Sequence, residues 1–293
     1  MPLPSSAPVA RPSAGRARRA SIRVVLDRSD PATAATLARL YDLDLEDDPG
    51  DVDLYLALAG RAQGPILELA AGSGRVAVPL AAAGHHVTAV DIDPAMLARA
   101  RERAADAGVA PDRLELVEAD LLDLRLGRDG GFKLAFIALN SIMLLATRDA
   151  QRAAMRVLAN QLAPGGIAAV DVWLPDIEDL GRFDGRLLHE WVRPDPDADE
   201  PGVLVTKTGT AIHDAASGTV VLTAIYDAAR QGGTTRRWVR QDVLRLVSAD
   251  ELAGFAEDAG LRVEVLAGGY DLARIAPGAE RAVLVAVRPA DPG

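Results

Sequence analysis

Residues 66–93 read ILELAAGSGRVAVPLAAAGHHVTAVDID: an apolar run, a glycine-rich turn, a helical pattern ending at Gly84, and a second apolar run closed by acids. Short apolar runs bounded by turn signals are buried strands, and a helix between two of them demands parallel pairing with a right-handed crossover. The alternation continues downstream. PAMLARARERAADAG (residues 94–108) reads as a helix with Pro94 in its first turn and Gly108 past its end. RLELVEADLLDL supplies a third strand and FKLAFIALNSIMLL a fourth. RDAQRAAMRVLANQLAPGG is an amphipathic helix stopped by Pro164-Gly165-Gly166, and IAAVDVWLP is a fifth strand. Upstream, residues 31–62 read as two short helices with Tyr41-Asp42 between them and an acidic Pro-Gly break at residues 47–50. The fold class is α/β: a doubly wound, mostly parallel sheet with helices on both faces.

After Pro175 the rhythm changes. Residues 176–200 read as an acidic loop holding Phe183, His189 and Trp191. GVLVTKTGTAIH, GTVVLTAIYDAA and TTRRWVRQDVLRLV then alternate apolar with polar residues across Gly-containing turns, the pattern of an antiparallel meander. A helix, SADELAGFAEDAG, follows, with Ser248 and Glu251 spaced as a capping box, and two strands, LRVEVLAG and RAVLVAVRP, finish the chain. The expected organisation is a basic tail over residues 1–30, a ligand-binding unit over 31–175 and 248–293, and an inserted cap over 176–247.

Charge is unevenly placed. Residues 1–28 carry six arginines and one aspartate, a net +5, which leaves −15 on the rest of a chain whose total is −10. A body this acidic repels phosphate backbones, so nucleic acid is not the expected partner. The tail, rich in Pro, Ser, Ala and Arg, cannot bury much surface and reads as disordered. The Arg18-Arg19 pair is not an export signal, because Arg23 and Asp27 interrupt the following segment. No apolar run reaches the roughly 18 residues of a membrane span. A cytoplasmic protein is expected, and a homodimer is compatible with the sequence. With no cysteine, neither disulfides nor thiolate metal sites or nucleophiles are available.

Two templates fit the turn. Gly72-Ser73-Gly74-Arg75-Val76-Ala77 satisfies G-x-G-x-x-G/A, and Asp91 ends the next strand, as a nicotinamide-dependent oxidoreductase would have it. Glu68, inside the first strand, argues the other way. A carboxylate aimed at the ligand repels a pyrophosphate and attracts a cation. Asp120 follows the third strand and Asn140 ends the fourth.

Taken together, ELAAGSGR, AVDIDPAML, EADLLDL and LAPGG, in this order and spacing, resemble the class I S-adenosylmethionine-dependent methyltransferases over roughly residues 35–175 and the last 45. The resemblance implies a seven-stranded Rossmann-like sheet and S-adenosyl-L-methionine as cofactor. By the same likeness, Gly72 and Gly74 let the backbone approach the methionine moiety, with main-chain contacts from Ala70 and Ala71. Asp91 would hold the ribose hydroxyls, Ile92 and Met96 would flank the adenine, and Asp120 with the Leu121 amide would take its exocyclic amine. Tyr41 would belong to a helical lid over the methionine carboxylate, and Arg75 would pair with that carboxylate or with an acid. The family more often has a glycine and a small polar residue where Ala70 and Ala71 stand.

The expected acceptor is a small molecule methylated at N, O or C, roofed by the meander. A hydroxyl acceptor needs a base of suitable pKa, and His189 in RLLHEWV is the candidate, ahead of His85, His86 and His213. Trp173, Phe183, Trp191, Tyr226 and Trp238 are candidate cavity walls. A protein that binds the sulfonium without transferring methyl is a further reading. No metal cluster, nucleophile triad or phosphate loop competes.

Overall fold

The computed structural model describes residues 30–46, 49–124, 126, 131–198 and 200–290, so the expected tail lies outside the described residues except for Asp30. Helices α1 (Pro31–Asp44) and α2 (Val52–Ala62) lead into β1 (Ile66–Leu69), α3 (Ala77–Ala82), β2 (Val87–Asp91), α4 (Pro94–Asp106) and β3 (Leu114–Glu118). There follow β4 (Phe132–Ile137), α5 (Arg148–Gln161), β5 (Leu162–Trp173), α6 (Ile177–Arg182) and β6 (Leu188–Pro194). The chain continues through β7 (Leu204–Asp214), β8 (Thr219–Ala229), β9 (Arg236–Arg245), α7 (Ala249–Asp258), β10 (Arg262–Ala267) and β11 (Arg281–Val287).

Seven strands form one sheet in the order β10-β11-β5-β4-β1-β2-β3, and four form a second, β6-β7-β8-β9. Strands β1 to β5 run parallel, β11 pairs antiparallel with β5, and β10 antiparallel with β11. The central strands are buried on both faces, which is why β1, β4 and β11 are mostly apolar, broken inside the strands only by Glu68 and Lys133. One face packs α5 and α7 through Met155, Leu158, Leu252 and Phe255; the other packs α2 and α3 through Leu54, Tyr55, Ala77 and Leu80. Chain order reverses between β1 and β4, so their carboxyl ends open a crevice, the usual ligand position in such sheets.

The caps follow the sequence closely. Asp30 accepts from the Thr33 amide ahead of Pro31, and Asp93 from the Ala95 amide ahead of Pro94. Three expectations are corrected. Tyr41 and Asp42 do not divide two helices: with no glycine or proline before Pro49, α1 runs through them to Asp44. Residues 176–200 are not simply loop. A capping box of Asp176 and Asp179 starts α6, and β6 pairs with β7, adding a fourth strand to the meander. Ser248 caps α7 through the Glu251 amide, yet the Glu251 carboxylate pairs with Arg245 and Arg148 and leaves the reciprocal half of that box unmade.

Helix α1 is the joint between the two sheets. Its Leu37, Leu40 and Leu43 pack against Val205, Tyr226 and Ala228 of the small sheet, while α1 also lies against α4. No helix among the described residues is long and apolar enough to cross a membrane.

After β1 the backbone turns through left-handed positions at Ala70 (φ 57°), Gly72 (φ 55°) and Gly74 (φ 75°). A Cβ on Gly74 would stand 3.0 Å from Ala100 Cβ of α4, so that glycine also sets how closely turn and helix approach. Ala70 carries a methyl group where glycine is free of strain. Ala70→Gly should therefore stabilise the protein by about 1 kcal/mol, raising Tm by ~2–4 °C in a thermal melt. An unchanged or lower Tm would show that the turn holds no strain at this residue.

Candidate active site

The glycine turn is fastened from inside and outside. Inside, Asp91 at the end of β2 accepts the Gly72 amide at 2.7 Å on one oxygen and the Asp93 amide at 2.9 Å on the other. Outside, Ser73 donates its hydroxyl to Asp42 of α1, which also holds Arg99 (3.0 Å) and Arg103 (2.9 Å) of α4. Arg75 clamps the fully buried Asp51 with two bonds of 2.6 Å. A bidentate pair of this kind is geometrically rigid. The turn is thus held before any ligand arrives.

Above it lies a cavity of about 420 Å³ lined by Tyr41, Ala70, Gly72, Asp91, Ile92, Met96, Asp120 and Leu121, so these eight sequence candidates come together. Ile92 is 60% exposed and Met96 is buried, giving the cavity an apolar cleft between them. Asp120 takes the Leu122 amide at 2.8 Å, which fixes its carboxylate at the rim. Burial raises the Asp91 carboxyl above its ordinary range, against the lowering effect of its two amides. The walls carry four carboxylates, Asp91, Asp93, Asp120 and Asp242, against one guanidinium, Arg240. That balance repels a pyrophosphate and suits a cationic nucleoside.

Three candidates lie elsewhere. Gly74 does not line the cavity and acts through packing. Arg75 is committed to Asp51 rather than to a ligand. Glu68 is buried beneath the turn, not aimed into the cavity: its carboxyl meets the Ala77 amide at the start of α3, and Oε2 has no partner. Strand alternation allowed either direction for this side chain.

A second cavity, of about 630 Å³, opens between the two sheets and shares Tyr41, Ser141, Leu144, Arg240 and Asp242 with the first. At this neck Arg240 lies 4.9 Å over the Tyr41 ring and bonds Asp242 at 2.7 Å. Burial pushes the Tyr41 phenol up, so it stays a neutral hydroxyl at the neck and acts as no base. The floor is the turn after β4, where Leu139 (φ 49°) and Asn140 (φ 64°) are both left-handed. Asn140 lines this second cavity, not the first, and its Oδ1 accepts the Trp173 amide. Asp171, fully buried, holds the turn by taking the Leu139 amide at 3.0 Å, with Tyr55 (2.7 Å) and Tyr270 (2.9 Å) as further donors.

Of the aromatic candidates, Trp173, Phe183 and Tyr226 line the larger cavity. Trp191 and Trp238 instead pack in the joint with α1. His189 lines neither cavity. It pairs with Thr208 and is exposed, because Leu188 and Glu190 on either side line the cavity and strand alternation turns His189 to the opposite face. His86 contacts the Asp112 carbonyl at 3.1 Å in the helix-to-strand turn, and neither it, His85 nor His213 lines a cavity. The sequence reading missed Arg240 and Asp242, whose i, i+2 spacing in RRWVRQD on an alternating strand places both on one face. It also missed Asp44, Glu190 and Lys207, which meet only in three dimensions.

A family model described as a methyltransferase domain matches residues 66–166. An uncharacterised protein of Mycobacterium tuberculosis is 57% identical over 44 residues, 15% of this chain, and the match spans only 16% of that relative's length. The dTDP-3-amino-3,4,6-trideoxy-alpha-D-glucopyranose N,N-dimethyltransferase of Streptomyces venezuelae is 25% identical over 209 residues, 70% of this chain and 78% of the relative. Among solved structures, the CcbJ methyltransferase of Streptomyces caelestis is similar with a TM-score of 0.64 and 26% identity, covering 84% of this chain and 96% of that one.

Glu68 supplies a test of the foundations of the site. Burial pushes its carboxyl up to about 8, although Arg75 opposes this. The native state therefore favours the protonated form: its contribution to stability is full below the unfolded pKa near 4.5 and is lost as pH rises through 8. Glu68→Gln, which keeps the shape without the charge, should lose less stability than the parent between pH 5 and 9 in urea unfolding. Parallel pH curves would show that Glu68 is ionised in the native protein.

Proposed function

We infer, from the premise that this chain belongs to the class I S-adenosylmethionine-dependent methyltransferase family, that it moves the sulfonium methyl of S-adenosyl-L-methionine to the nitrogen of a small amine. The observation that carries the reading is the neck. One acidic cavity framed by the glycine turn and one larger cavity roofed by the small sheet meet at Tyr41, Ser141, Leu144, Arg240 and Asp242. A donor in the first and an acceptor in the second would face each other there.

The residues fit the donor in charge and in shape. Asp91 would take the ribose hydroxyls, Ile92 and Met96 the two faces of the adenine, and Asp120 with the Leu121 amide its exocyclic amine. Ala70 and Gly72 would border the methionine moiety under Tyr41. When bound, the sulfonium supplies an activated methyl group whose departure needs no acid. The chain's work is then to hold the nucleophile close and in line and to exclude water, an effect that can supply ~7–11 kcal/mol. An amine attacks through its own lone pair and needs no base, whereas a hydroxyl needs one. The similarity to an aminosugar N,N-dimethyltransferase supports nitrogen over oxygen.

The division of labour follows: residues 31–175 and 248–293 hold the donor and residues 176–247 shape the acceptor site, β9 serving both through Arg240 and Asp242. The acidic body supports a small acceptor over nucleic acid, and the proposed compartment is the cytoplasm. Asp91→Ala, which removes two charge-assisted bonds of roughly 1.5 kcal/mol or more each, should weaken S-adenosylmethionine binding by about 10²-fold in calorimetry. Unchanged affinity would place the ribose elsewhere. With an amine panel, the parent should release S-adenosylhomocysteine together with N-methylated product; donor binding without release against any amine would leave a binding protein.

A further inference from the structure

Two departures from regular strand structure converge on Glu190. The register of β6 against β7 shifts between His189 and Trp191, so Glu190 is the extra residue of a bulge; it lines the larger cavity, as Leu188 does, and Trp191 after it turns to Asp44 of α1. Opposite, β7 carries Gly209 in its interior. That glycine is not in the left-handed region, so its backbone accepts any residue, and the reason for it is space: a Cβ there would collide with the Glu190 carboxylate. Glycine inside a strand weakens it and marks a close approach. Bulges recur beside active sites because they re-aim a side chain. Here the two together lay a carboxylate flat across β7 at the wall of the larger cavity.

The surroundings leave that carboxylate half used. Lys207 bonds Glu190 Oε2 at 2.7 Å and Asp44 at 2.6 Å, one cation shared by two acids. Asp44 accepts also from Trp191 Nε1 at 2.9 Å, whereas Glu190 Oε1 makes no bond within the chain among the described residues, and its side chain, 38% exposed, lines the cavity. Tyr41 at the neck and Asp44 in this cluster stand three residues apart on α1, on one helix face. The open oxygen and the neck thus border the same cavity, linked through Lys207 and Asp44 to the helix that carries Tyr41.

We propose that Glu190 selects the acceptor by taking a hydrogen bond from a hydroxyl beside the reacting nitrogen, so that the acceptor class is a vicinal amino alcohol on a ring. The proposal rests on the methyltransferase reading above. Glu190 is a specificity residue: no bond to it forms or breaks in the transfer.

The test compares trans-2-aminocyclohexanol with cyclohexylamine, which differ by that hydroxyl, by calorimetric titration into the protein loaded with S-adenosylhomocysteine. The parent should bind the amino alcohol at least ~10-fold more tightly, the worth of one charge-assisted hydrogen bond. Glu190→Ala should erase the preference, and Gly209→Ala, which displaces only a flexible side chain, should erase it too. The double variant should be no worse than either single one. A purely structural role for Glu190 would instead lower Tm and leave the ratio of the two affinities unchanged. Equal binding of the two amines, no binding of the amino alcohol, or a preference that survives in Glu190→Ala overturns the proposal. Failure of S-adenosylhomocysteine itself to bind would overturn the functional reading beneath it.

Discussion

The hydrogen bond from the Gly72 amide to the Asp91 carboxylate is the contact on which the site depends. It ties the end of β2 to the left-handed turn after the neighbouring β1, beside the sheet's point of reversal between β1 and β4, and so fixes a carboxylate at the mouth of the crevice. Burial alone would disfavour ionised Asp91; the Gly72 and Asp93 amides oppose that and keep both oxygens directed. Joined by Asp93, Asp120 and Asp242, it gives the smaller cavity an acidic lining. On the proposed reading, the character of that lining, more than the glycine spacing, separates a sulfonium nucleoside from a dinucleotide.

Helix α1 joins this crevice to the larger cavity, which on the proposed reading makes a two-substrate site. Asp42 reaches one way, to Ser73 of the turn and to α4, while Asp44 reaches the other, to Lys207 and Trp191 of the small sheet. Tyr41, between them in space, faces the neck under Arg240. Individually such pairs near the surface are worth little. As a set they specify where the small sheet sits over the large one, and hence how far apart two bound molecules would be. The Leu139–Asn140 turn, strained at two successive residues and held by buried Asp171, closes the same neck from the side of the large sheet. Strain of this kind persists only where the surrounding structure over-determines it.

The parallel sheet was legible in residues 66–173 because each strand is a short, mostly apolar run and helices carry their own start and stop residues, Pro94 and Gly108 being examples. The cavity residues Asp91, Asp120, Ile92 and Met96 were legible because they follow strand ends at fixed spacing, where topology alone puts them over the crevice. Glu68 was misread for a physical reason: within a buried strand, alternation decides which face a side chain takes, and on a parallel sheet both faces are apolar. His189 was misread because residues 176–200 read as loop: once β6 forms, alternation gives the cavity Leu188 and Glu190 and turns His189 away. The signal for Glu190 lies at Gly209, a strand glycine that makes room for a neighbour nineteen residues earlier in the chain. The joint made by Asp42, Asp44 and Lys207 rests on contacts of long sequence separation, which no single stretch encodes.

The central claim is that the acidic lining of the smaller cavity selects a positively charged sulfur nucleoside. Parallel calorimetric titrations of the purified protein with S-adenosylmethionine and with NADH test it most directly. Saturable binding of S-adenosylmethionine at one site per chain, with no heat from NADH, is the expected result. Binding of NADH with none of S-adenosylmethionine would contradict the account.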